Sequence, residues 1–357
     1  MILLNMNNMT KEQVLCNISP SSLTIITTYS CTSACKNCCF TCSPKRKEKL
    51  SVSDMKKVIN EAISSFPSIK IVIFTGGEPF LMRDELLEVI GYVANLGRCT
   101  RVVSNAYWAY SYKQAYSLLK ELKKKGLDEI NFSTGDEHQE FVPYENIIYA
   151  CRAALDLSLS VAVNIEAHEN KKFKMETLNN DIRLLKYRNN PLFFISNGLW
   201  IAYDEEAKKK PKTYGDVDIY CKDEKRIGCD TLFNNIAVSP KKQLFSCCGF
   251  FAPHTPLLQF GKLGEGDIST NYNRQFDDLL KIWLFTSGPH DIARFINQYK
   301  SGKKIDCYKK HPCIVCQQIY AEQENLEIIK LHYKEIFPKV IFNYECDRKL
   351  HSKLSVV

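Results

Sequence analysis

Short apolar runs alternate with segments of helical periodicity over the first two hundred residues of the chain. Strands are predicted by apolar runs at residues 23–28, 69–75, 100–104, 129–133, 160–166 and 192–195. Helices are predicted by apolar residues at helical spacing near residues 53–66, 84–96, 111–125 and 144–157. Because strands that alternate with helices favour a parallel sheet with crossover helices, we expect an α/β fold.

The pattern changes in the second half of the chain. Residues 201–228 are polar and rich in lysine, which is typical of a linker, and the sequence from Cys229 onward is irregular and rich in turn residues. A hairpin is predicted there, with strands at 236–239 and 243–246. The expected division is an N-terminal segment 1–22, a partial barrel 23–200, the linker 201–228, a cysteine-rich extension 229–320 and a C-terminal helix and tail 321–357.

Composition excludes several classes of protein. The 357 residues are 45% hydrophobic and 25% charged, as in ordinary globular proteins. The net charge of +8 comes mostly from scattered lysines and does not indicate a nucleic-acid groove. We expect no membrane association, since no apolar run approaches the roughly 18–20 residues of a membrane span. The first residues lack the pattern of a signal peptide, so a cytoplasmic protein is expected, and its 16 cysteines are candidate metal ligands.

Three cysteines follow the first predicted strand at short spacing. They are Cys31, Cys35 and Cys38. Thiolates are the ligands of iron–sulfur clusters, and a closed cluster or zinc site would use four of them. Three cysteines leave one iron open to a small molecule, although half of a zinc ribbon is an alternative. Cys39 and Cys42 follow directly and are interpreted as packing or neighbouring thiols.

A second motif, Gly76-Gly77-Glu78-Pro79, stands between the second predicted strand and its helix. Two glycines let the backbone approach a ligand closely, and Glu78 offers a carboxylate to a cationic amine. Alone, this tetrapeptide would be an ordinary turn. One strand and one helix after the cysteine triplet, it indicates a binding site.

Together the two motifs resemble the signature of the radical S-adenosylmethionine (SAM) enzymes. The resemblance implies a partial (β/α)6 barrel and a 4Fe–4S cluster on the three cysteines, with SAM bound to the open iron. It also implies that the motif from Gly76 to Pro79 grips the amino group of SAM. An external reductant such as flavodoxin or ferredoxin would supply one electron. The family commonly has an aromatic residue before the third cysteine, where this chain has Asn37.

Polar residues stand at the ends of further predicted strands, the edge at which barrels of this kind carry active sites. They are Ser104, Asn105, Ser133, Asp136, His138 and Asn164. In the functional interpretation, Ser104, Asn105, Ser133 and Asn164 contact SAM, while Asp136 and His138 orient the substrate or handle protons. The alternatives are a capping pair for Ser104 and Asn105, a surface turn around His138, and a satisfied core asparagine for Asn164.

A second group of cysteines has the spacing of a fully ligated centre. It consists of Cys229, Cys247 beyond the predicted hairpin, and the distant pair Cys313 and Cys316. Four thiols suit a second 4Fe–4S cluster or a structural zinc ion. The spacing resembles the auxiliary-cluster extension, called twitch or SPASM, of radical SAM enzymes. Cys307 is an alternative to one of these ligands.

Cys248 follows Cys247 directly. Because neighbouring residues on a strand point to opposite faces, Cys248 can face the barrel mouth, where a thiol is a good hydrogen-atom donor to a carbon radical. A buried apolar thiol is the alternative. The motifs as a set most resemble radical SAM epimerases of ribosomally made peptides. That resemblance implies a peptide substrate, whose hydrogen is removed by a 5′-deoxyadenosyl radical and returned by Cys248.

Other functions remain open at this point. An oxidation or cross-link of a peptide would use the same motifs with a different outcome. Dehydrogenation of a small molecule is a further possibility. A non-catalytic iron–sulfur or zinc protein would make Glu78 and its glycines incidental.

Overall fold

The computed structural model describes residues 18–167, 171–199, 228–247, 251–307 and 310–354. The chain divides into two compact units. The barrel unit consists of Ser22–Val217 and Val238–Gln243, and the C-terminal unit consists of Met1–Ser21, Asp218–Ala237 and Leu244–Val357. Of the predicted linker, only Gly228 is among the described residues.

The barrel unit contains a parallel sheet. Its described strands are β1 (Ser22–Ile26), β2 (Ile71–Thr75), β3 (Cys99–Ser104), β4 (Glu129–Thr134), β5 (Ser160–Ala167) and β6 (Phe193–Leu199). Their order is β6-β5-β4-β3-β2-β1, and each neighbouring pair is parallel. The predicted strands are thereby confirmed, with ends that differ by a few residues.

Helices connect these strands. They are α1 (Val52–Ser65), α2 (Arg83–Asn95), α3 (Tyr112–Lys125), α4 (Asp136–Gln139), α5 (Tyr144–Asp156) and α6 (Met175–Asn179), with 3-10 turns at Pro79–Met82 and Leu185–Tyr187. Helix α1 begins where the Ser51 side chain accepts a hydrogen bond from the Asp54 N–H, and α3 ends at Gly126, whose φ of 107° suits glycine. The four long helices were predicted, whereas the short helices α4 and α6 were not.

The sheet buries alternate side chains. Phe74 of β2, Val102 of β3 and Phe132 of β4 are fully buried. The residues that alternate with buried ones along a strand, such as Ser133 of β4, are half-buried. This period of two is the one expected for strands with two different faces. The α/β fold class is confirmed, and the parallel strands with their crossover helices form the expected partial barrel.

The C-terminal unit is more helical than its sequence suggested. Its elements are β7 (Asn235–Val238) without its last residue, β8 (Gln243–Phe245) without its first, β9 (Gln259–Lys262), α7 (Ile268–Asn273), α8 (Leu279–Tyr299), α9 (Pro312–Ala321) and α10 (Gln323–Leu354), with 3-10 turns at Ala252–His254, Pro256–Leu258 and Arg274–Asp277. The predicted hairpin corresponds to β7 and β8. Aromatic residues fill the core, where the rings of Phe233 and Phe276 stack with centroids 4.4 Å apart.

Candidate active site

The three cysteines of the first motif lie in the loop that follows β1. Cys31 is buried, and Cys35 and Cys38 are half-buried. Burial raises the pKa of Cys31 to about 11, with a further rise from the charges of Glu78 and Cys38. Burial is also the main reason why the pKa of Cys35 is raised, and Cys38 and Glu166 add to it. The three thiols therefore lie near enough for their charges to act on one another, and a cationic iron centre would relieve the mutual repulsion of their thiolates.

Cys42 supports the third of these cysteines. The Cys42 N–H lies 3.4 Å from the sulfur of Cys38. A hydrogen bond with the Cys42 side chain is the main reason why the pKa of Cys38 is lowered to about 6. Cys42 itself is buried against Ile26 and Tyr29. Its position agrees with the interpretation of Cys42 as a packing thiol.

The two glycines of the second motif pack against the cysteine loop. The Gly77 N–H donates to the Thr28 carbonyl over 2.7 Å. A Cβ at Gly76 would lie 2.4 Å from the oxygen of Thr28, and a Cβ at Gly77 would lie 2.0 Å from the oxygen of Ser30. Glycine is required at both positions because the backbone of the cysteine loop fills that space. Both glycines thus approach this loop closely, and their predicted close approach to a ligand stays a prediction.

Glu78 is a fully buried acceptor at the centre of the site. Its carboxylate accepts hydrogen bonds from the N–H groups of Asn105 (2.8 Å) and Phe80 (3.1 Å) and from the Ser104 hydroxyl (3.0 Å). Burial raises the pKa of Glu78 to about 7, although these hydrogen bonds lower it. The buried Pro79 begins the 3-10 turn that Glu78 caps. Glu78 therefore joins the ends of β2 and β3.

Ser104 and Asn105 are both buried at the end of β3. The Ser104 hydroxyl accepts a hydrogen bond from the Trp108 indole N–H over 3.0 Å. The Asn105 amide nitrogen donates to the hydroxyls of Thr32 (3.0 Å) and Ser33 (3.1 Å). These bonds tie β3 to the cysteine loop. Ser104 and Asn105 therefore use much of their hydrogen-bonding capacity within the protein. This is what the alternative interpretation, a capping pair, predicts.

Ser133 and Asn164 are neighbours across the sheet. Ser133 of β4 is aligned with Asn164 of β5, and Asn164 is aligned with Ser196 of β6. The alternative of a core asparagine at Asn164 is wrong, because this residue is exposed. Its amide oxygen accepts a hydrogen bond from the Ser196 hydroxyl. The sequence analysis missed Ser196 because the predicted strand ended one residue before it.

Asp136 and His138 lie in α4, which follows β4. The Asp136 carboxylate accepts hydrogen bonds from the N–H groups of Lys172 (2.7 Å) and Phe173 (2.9 Å), so it fixes the segment that follows β5. The His138 ring contacts the carboxylate of Glu166, which is buried near the end of β5. Both side chains make contacts within the protein.

Glu137 and Asn37 form a contact that the sequence analysis did not predict. The Asn37 N–H donates to the Glu137 carboxylate over 2.9 Å, and the Asn37 amide nitrogen donates to the other carboxylate oxygen. A carboxylate only accepts, so the Asn37 amide oxygen must point elsewhere. It is buried and has no hydrogen-bond partner among the described residues. Such an orphaned acceptor suits a site that receives a donor from a bound molecule.

The second cysteine set comes together in the C-terminal unit. Burial raises the pKa of Cys316 well above its usual value, and the charges of Cys229, Cys313 and Cys247 raise it further. The other three thiols thus lie near enough to Cys316 for their charges to act on it. His311 caps helix α9 by accepting the Cys313 N–H over 3.1 Å. This donor set fits a centre with four thiolate ligands.

Two other cysteines were singled out, Cys248 as a hydrogen-atom donor and Cys307 as an alternative ligand of the second centre. Cys248, the predicted hydrogen-atom donor, lies outside the described residues, and Cys307 is half-buried. In the described residues, no group of three or more His, Cys, Asp or Glu side chains is placed to hold a metal ion. The ligands of a cluster bind different irons, so they need not converge on one point.

Residues 25–167 match the family model of the radical SAM superfamily. This part of the chain is a radical SAM domain, a class that implies SAM and a 4Fe–4S cluster as cofactors. The chain is 20% identical over 327 residues to the "Putative peptide biosynthesis protein YydG" of Bacillus subtilis (strain 168), a match that covers 86% of this chain and 95% of the relative.

Solved structures share the fold. The structure of histidine-tagged anSMEcpe with bound AdoMet is similar with a TM-score of 0.52 and 13% identity. The structure of native anSMEcpe with bound AdoMet and Cp18Cys peptide is similar with a TM-score of 0.50 and 12% identity. Each match covers 91% of this chain and 99% of the other. Among the described residues, no helix is both long and apolar enough to cross a bilayer.

Proposed function

We propose that this protein is a radical SAM enzyme that modifies a peptide. The grouping of Cys31, Cys35 and Cys38 against the Gly76-Gly77 backbone carries the proposal. The name of the Bacillus relative and the peptide bound to anSMEcpe support a peptide as the substrate. A flavodoxin or ferredoxin is proposed as the electron donor.

The proposed cofactor site uses the cysteine loop and its supports. When bound, a reduced 4Fe–4S cluster and SAM supply a 5′-deoxyadenosyl radical that removes a hydrogen atom from the substrate. Cys31, Cys35 and Cys38 hold the cluster and leave one position for SAM. Glu78 and its glycines keep the loop in place, and Ser133 and Asn164 offer polar contacts farther along the sheet. The contribution of the protein is to position the reacting groups and to exclude water.

The proposed second centre uses Cys229, Cys247, Cys313 and Cys316. Four thiolates would saturate a 4Fe–4S cluster, so this centre would not bind SAM through an open iron. Its proposed role is to accept or pass on electrons.

For the outcome of the reaction we propose epimerisation, with Cys248 as the hydrogen-atom donor. The substrate loses its α-hydrogen to the radical, and the Cys248 thiol returns a hydrogen atom from the opposite face. The sulfur then needs one electron and one proton, which the external reductant and solvent supply. A Cys248→Ala variant is expected to form 5′-deoxyadenosine without epimerised product. Unchanged product in this variant would remove the role of Cys248.

Reductive cleavage of SAM tests the class of enzyme. The protein is reconstituted anaerobically with iron and sulfide, reduced with dithionite and supplied with SAM, and 5′-deoxyadenosine is measured. We expect the wild type to form 5′-deoxyadenosine and the Cys35→Ala variant to form none. The matched control is Cys99→Ala, which removes the exposed thiol at the start of β3 and is expected to behave as the wild type. Absence of cleavage by the wild type would refute the proposal.

Mass spectrometry of a candidate precursor peptide co-expressed with this protein tests the outcome. Epimerisation in deuterated water adds one deuterium and causes no other change of mass. Loss of two hydrogens would indicate oxidation or cross-linking instead. An unmodified peptide, together with SAM cleavage stimulated by a small molecule, would contradict the proposed peptide substrate.

A further inference from the structure

Helix α4, which follows β4 in the chain, makes hydrogen bonds both to the end of β5 and to the cysteine loop. The buried Glu166 carboxylate accepts hydrogen bonds from the N–H groups of Glu137 and His138, each over 2.9 Å. A carboxylate at the first N–H groups of a helical turn fixes the position of that turn. Gly135 allows this approach, since a Cβ there would lie 2.5 Å from the Glu166 side chain and its φ is 144°. The backbone of Glu137 is therefore held firmly.

The Glu137 side chain reaches from this helix to the turn between Cys35 and Cys38. It accepts both the backbone N–H and the side-chain N–H of Asn37, a residue that is only 3% exposed. The Cys35 sulfur also lies 3.9 Å from the Glu137 carbonyl oxygen. Within the turn itself, the Cys38 N–H donates to the Cys35 carbonyl over 3.2 Å. Glu137 therefore fixes Asn37, one of the two residues between the proposed cluster ligands Cys35 and Cys38.

We propose that Glu137 is a positioning residue for the first cluster and that it holds residues 35–38 in the conformation that binds iron. This inference rests on the proposed function, because it assumes a cluster on Cys31, Cys35 and Cys38. Groups that orient metal ligands typically change metal affinity by roughly 10–100-fold when they are removed. The hydrogen bonds from Asn37 to Glu137 hold the backbone between Cys35 and Cys38. When they are lost, these two cysteines are no longer held in fixed positions for the cluster.

The test follows iron release from the reconstituted protein. A chelator is added, samples taken with time are reduced with dithionite, and the electron paramagnetic resonance signal that shifts upon addition of SAM is recorded in each. Only a cluster with an open iron gives this shift, so the second centre does not contribute. We expect the signal of Glu137→Ala to decay roughly 10–100 times faster than that of the wild type. The control Glu140→Ala removes the same charge from the exposed residue that follows α4, and is expected to decay at the wild-type rate.

Two further variants are expected to have intermediate rates of signal decay. Glu137→Gln keeps one acceptor oxygen, and Asn37→Leu keeps the backbone N–H bond to Glu137, so both are expected to lie between the wild type and Glu137→Ala. Circular dichroism of the iron-free proteins checks folding. If Glu137→Ala does not fold, Glu137→Gln and Asn37→Leu decide the question. Equal decay rates in the folded variants and the wild type would overturn the inference while leaving the proposed function intact. A wild-type signal that never responds to SAM would overturn both.

Discussion

At the scale of the residue, Glu78 is a buried carboxylate whose protonation should affect folding. Burial raises its pKa to about 7 from the usual 4.5. Between these values the folded chain keeps a proton that the unfolded chain has lost, so the free energy of unfolding falls as the pH rises through this window. The variant Glu78→Gln lacks this titration. We expect the free energy of unfolding of the wild type, relative to this variant, to fall by at most about 1.4 kcal/mol per pH unit.

Urea unfolding of the two iron-free proteins between pH 4.5 and pH 7 measures this difference. The hydrogen bonds from Asn105, Phe80 and Ser104 act in the opposite direction, because they stabilise the charged carboxylate. A wild-type advantage that grows with pH would show that these hydrogen bonds outweigh burial.

Single residues also show where sequence reasoning stops. The spacing of the motifs predicted that Cys31, Glu78 and Asn105 would meet, because parallel strands end at the same edge of a sheet. The bonds they make were not predictable, since they depend on where each loop backbone lies. Glu137 lies between the two candidate residues Asp136 and His138, yet its contact with Asn37 spans 100 positions of the chain. For Glu166 the sequence contained one indication of a role in the site, a charged residue at the end of an apolar predicted strand.

At the scale of the element, the junction between the cysteine loop and β2 depends on Gly77. In a Gly77→Ala variant, the new Cβ would lie 2.0 Å from a backbone oxygen, so the loop itself must shift. We expect a loss of about 2–4 kcal/mol in the free energy of unfolding and loss of the SAM-responsive resonance signal.

Gly91→Ala is the matched control. Gly91 lies within helix α2, and a Cβ there would be 3.7 Å from its nearest neighbour, Lys125. This change is expected to be neutral or to stabilise the fold by up to about 1 kcal/mol. Chemical unfolding and iron analysis measure both variants. A Gly77→Ala protein with wild-type stability and a normal signal would contradict the proposed packing requirement.

Helix α9 carries two of the cysteines of the second centre, and its start depends on His311. Burial lowers the pKa of His311 to about 4, so the ring is neutral at pH 7 and its nitrogen accepts the Cys313 N–H. We expect His311→Ala to lower the free energy of unfolding by about 0.5–2 kcal/mol. His311→Asn keeps an acceptor for capping and should recover most of this loss. Equal losses in the two variants, measured by urea unfolding, would argue against the cap.

The elements themselves were largely predictable. Strands β1 to β5 and helices α1, α2, α3 and α5 have strong periodicity, and Ser51 and Gly126 mark helix ends in a way the sequence displays. Helix α4 was not predictable, because its four residues are too short for a periodic signal and depend on Glu166 for their position. Helix α8 was missed because Gly288 and Pro289 interrupt its pattern, and the structure contains a kink there.

At the scale of the whole molecule, the two cysteine sets belong to different units. Cys31, Cys35 and Cys38 lie in the barrel unit, and the four cysteines of the second set lie in the C-terminal unit. Each unit has its own buried residues, such as Phe74 in the barrel unit and Trp283 in the C-terminal unit. The sequence showed this division only as a change of composition, since residue periodicity says nothing about which distant segments pack together.

Separate units predict that the two proposed centres can be removed independently. In the double variant Cys313→Ser/Cys316→Ser, iron is expected to fall from about eight to about four atoms per chain, because each 4Fe–4S cluster holds four. The SAM-responsive signal and 5′-deoxyadenosine formation should persist, since Cys31, Cys35 and Cys38 are unchanged. Cys35→Ser/Cys38→Ser should lose the signal and keep about four irons. Unchanged iron in the first variant would exclude a cluster held by Cys313 and Cys316, and loss of all iron in either variant would contradict independent centres.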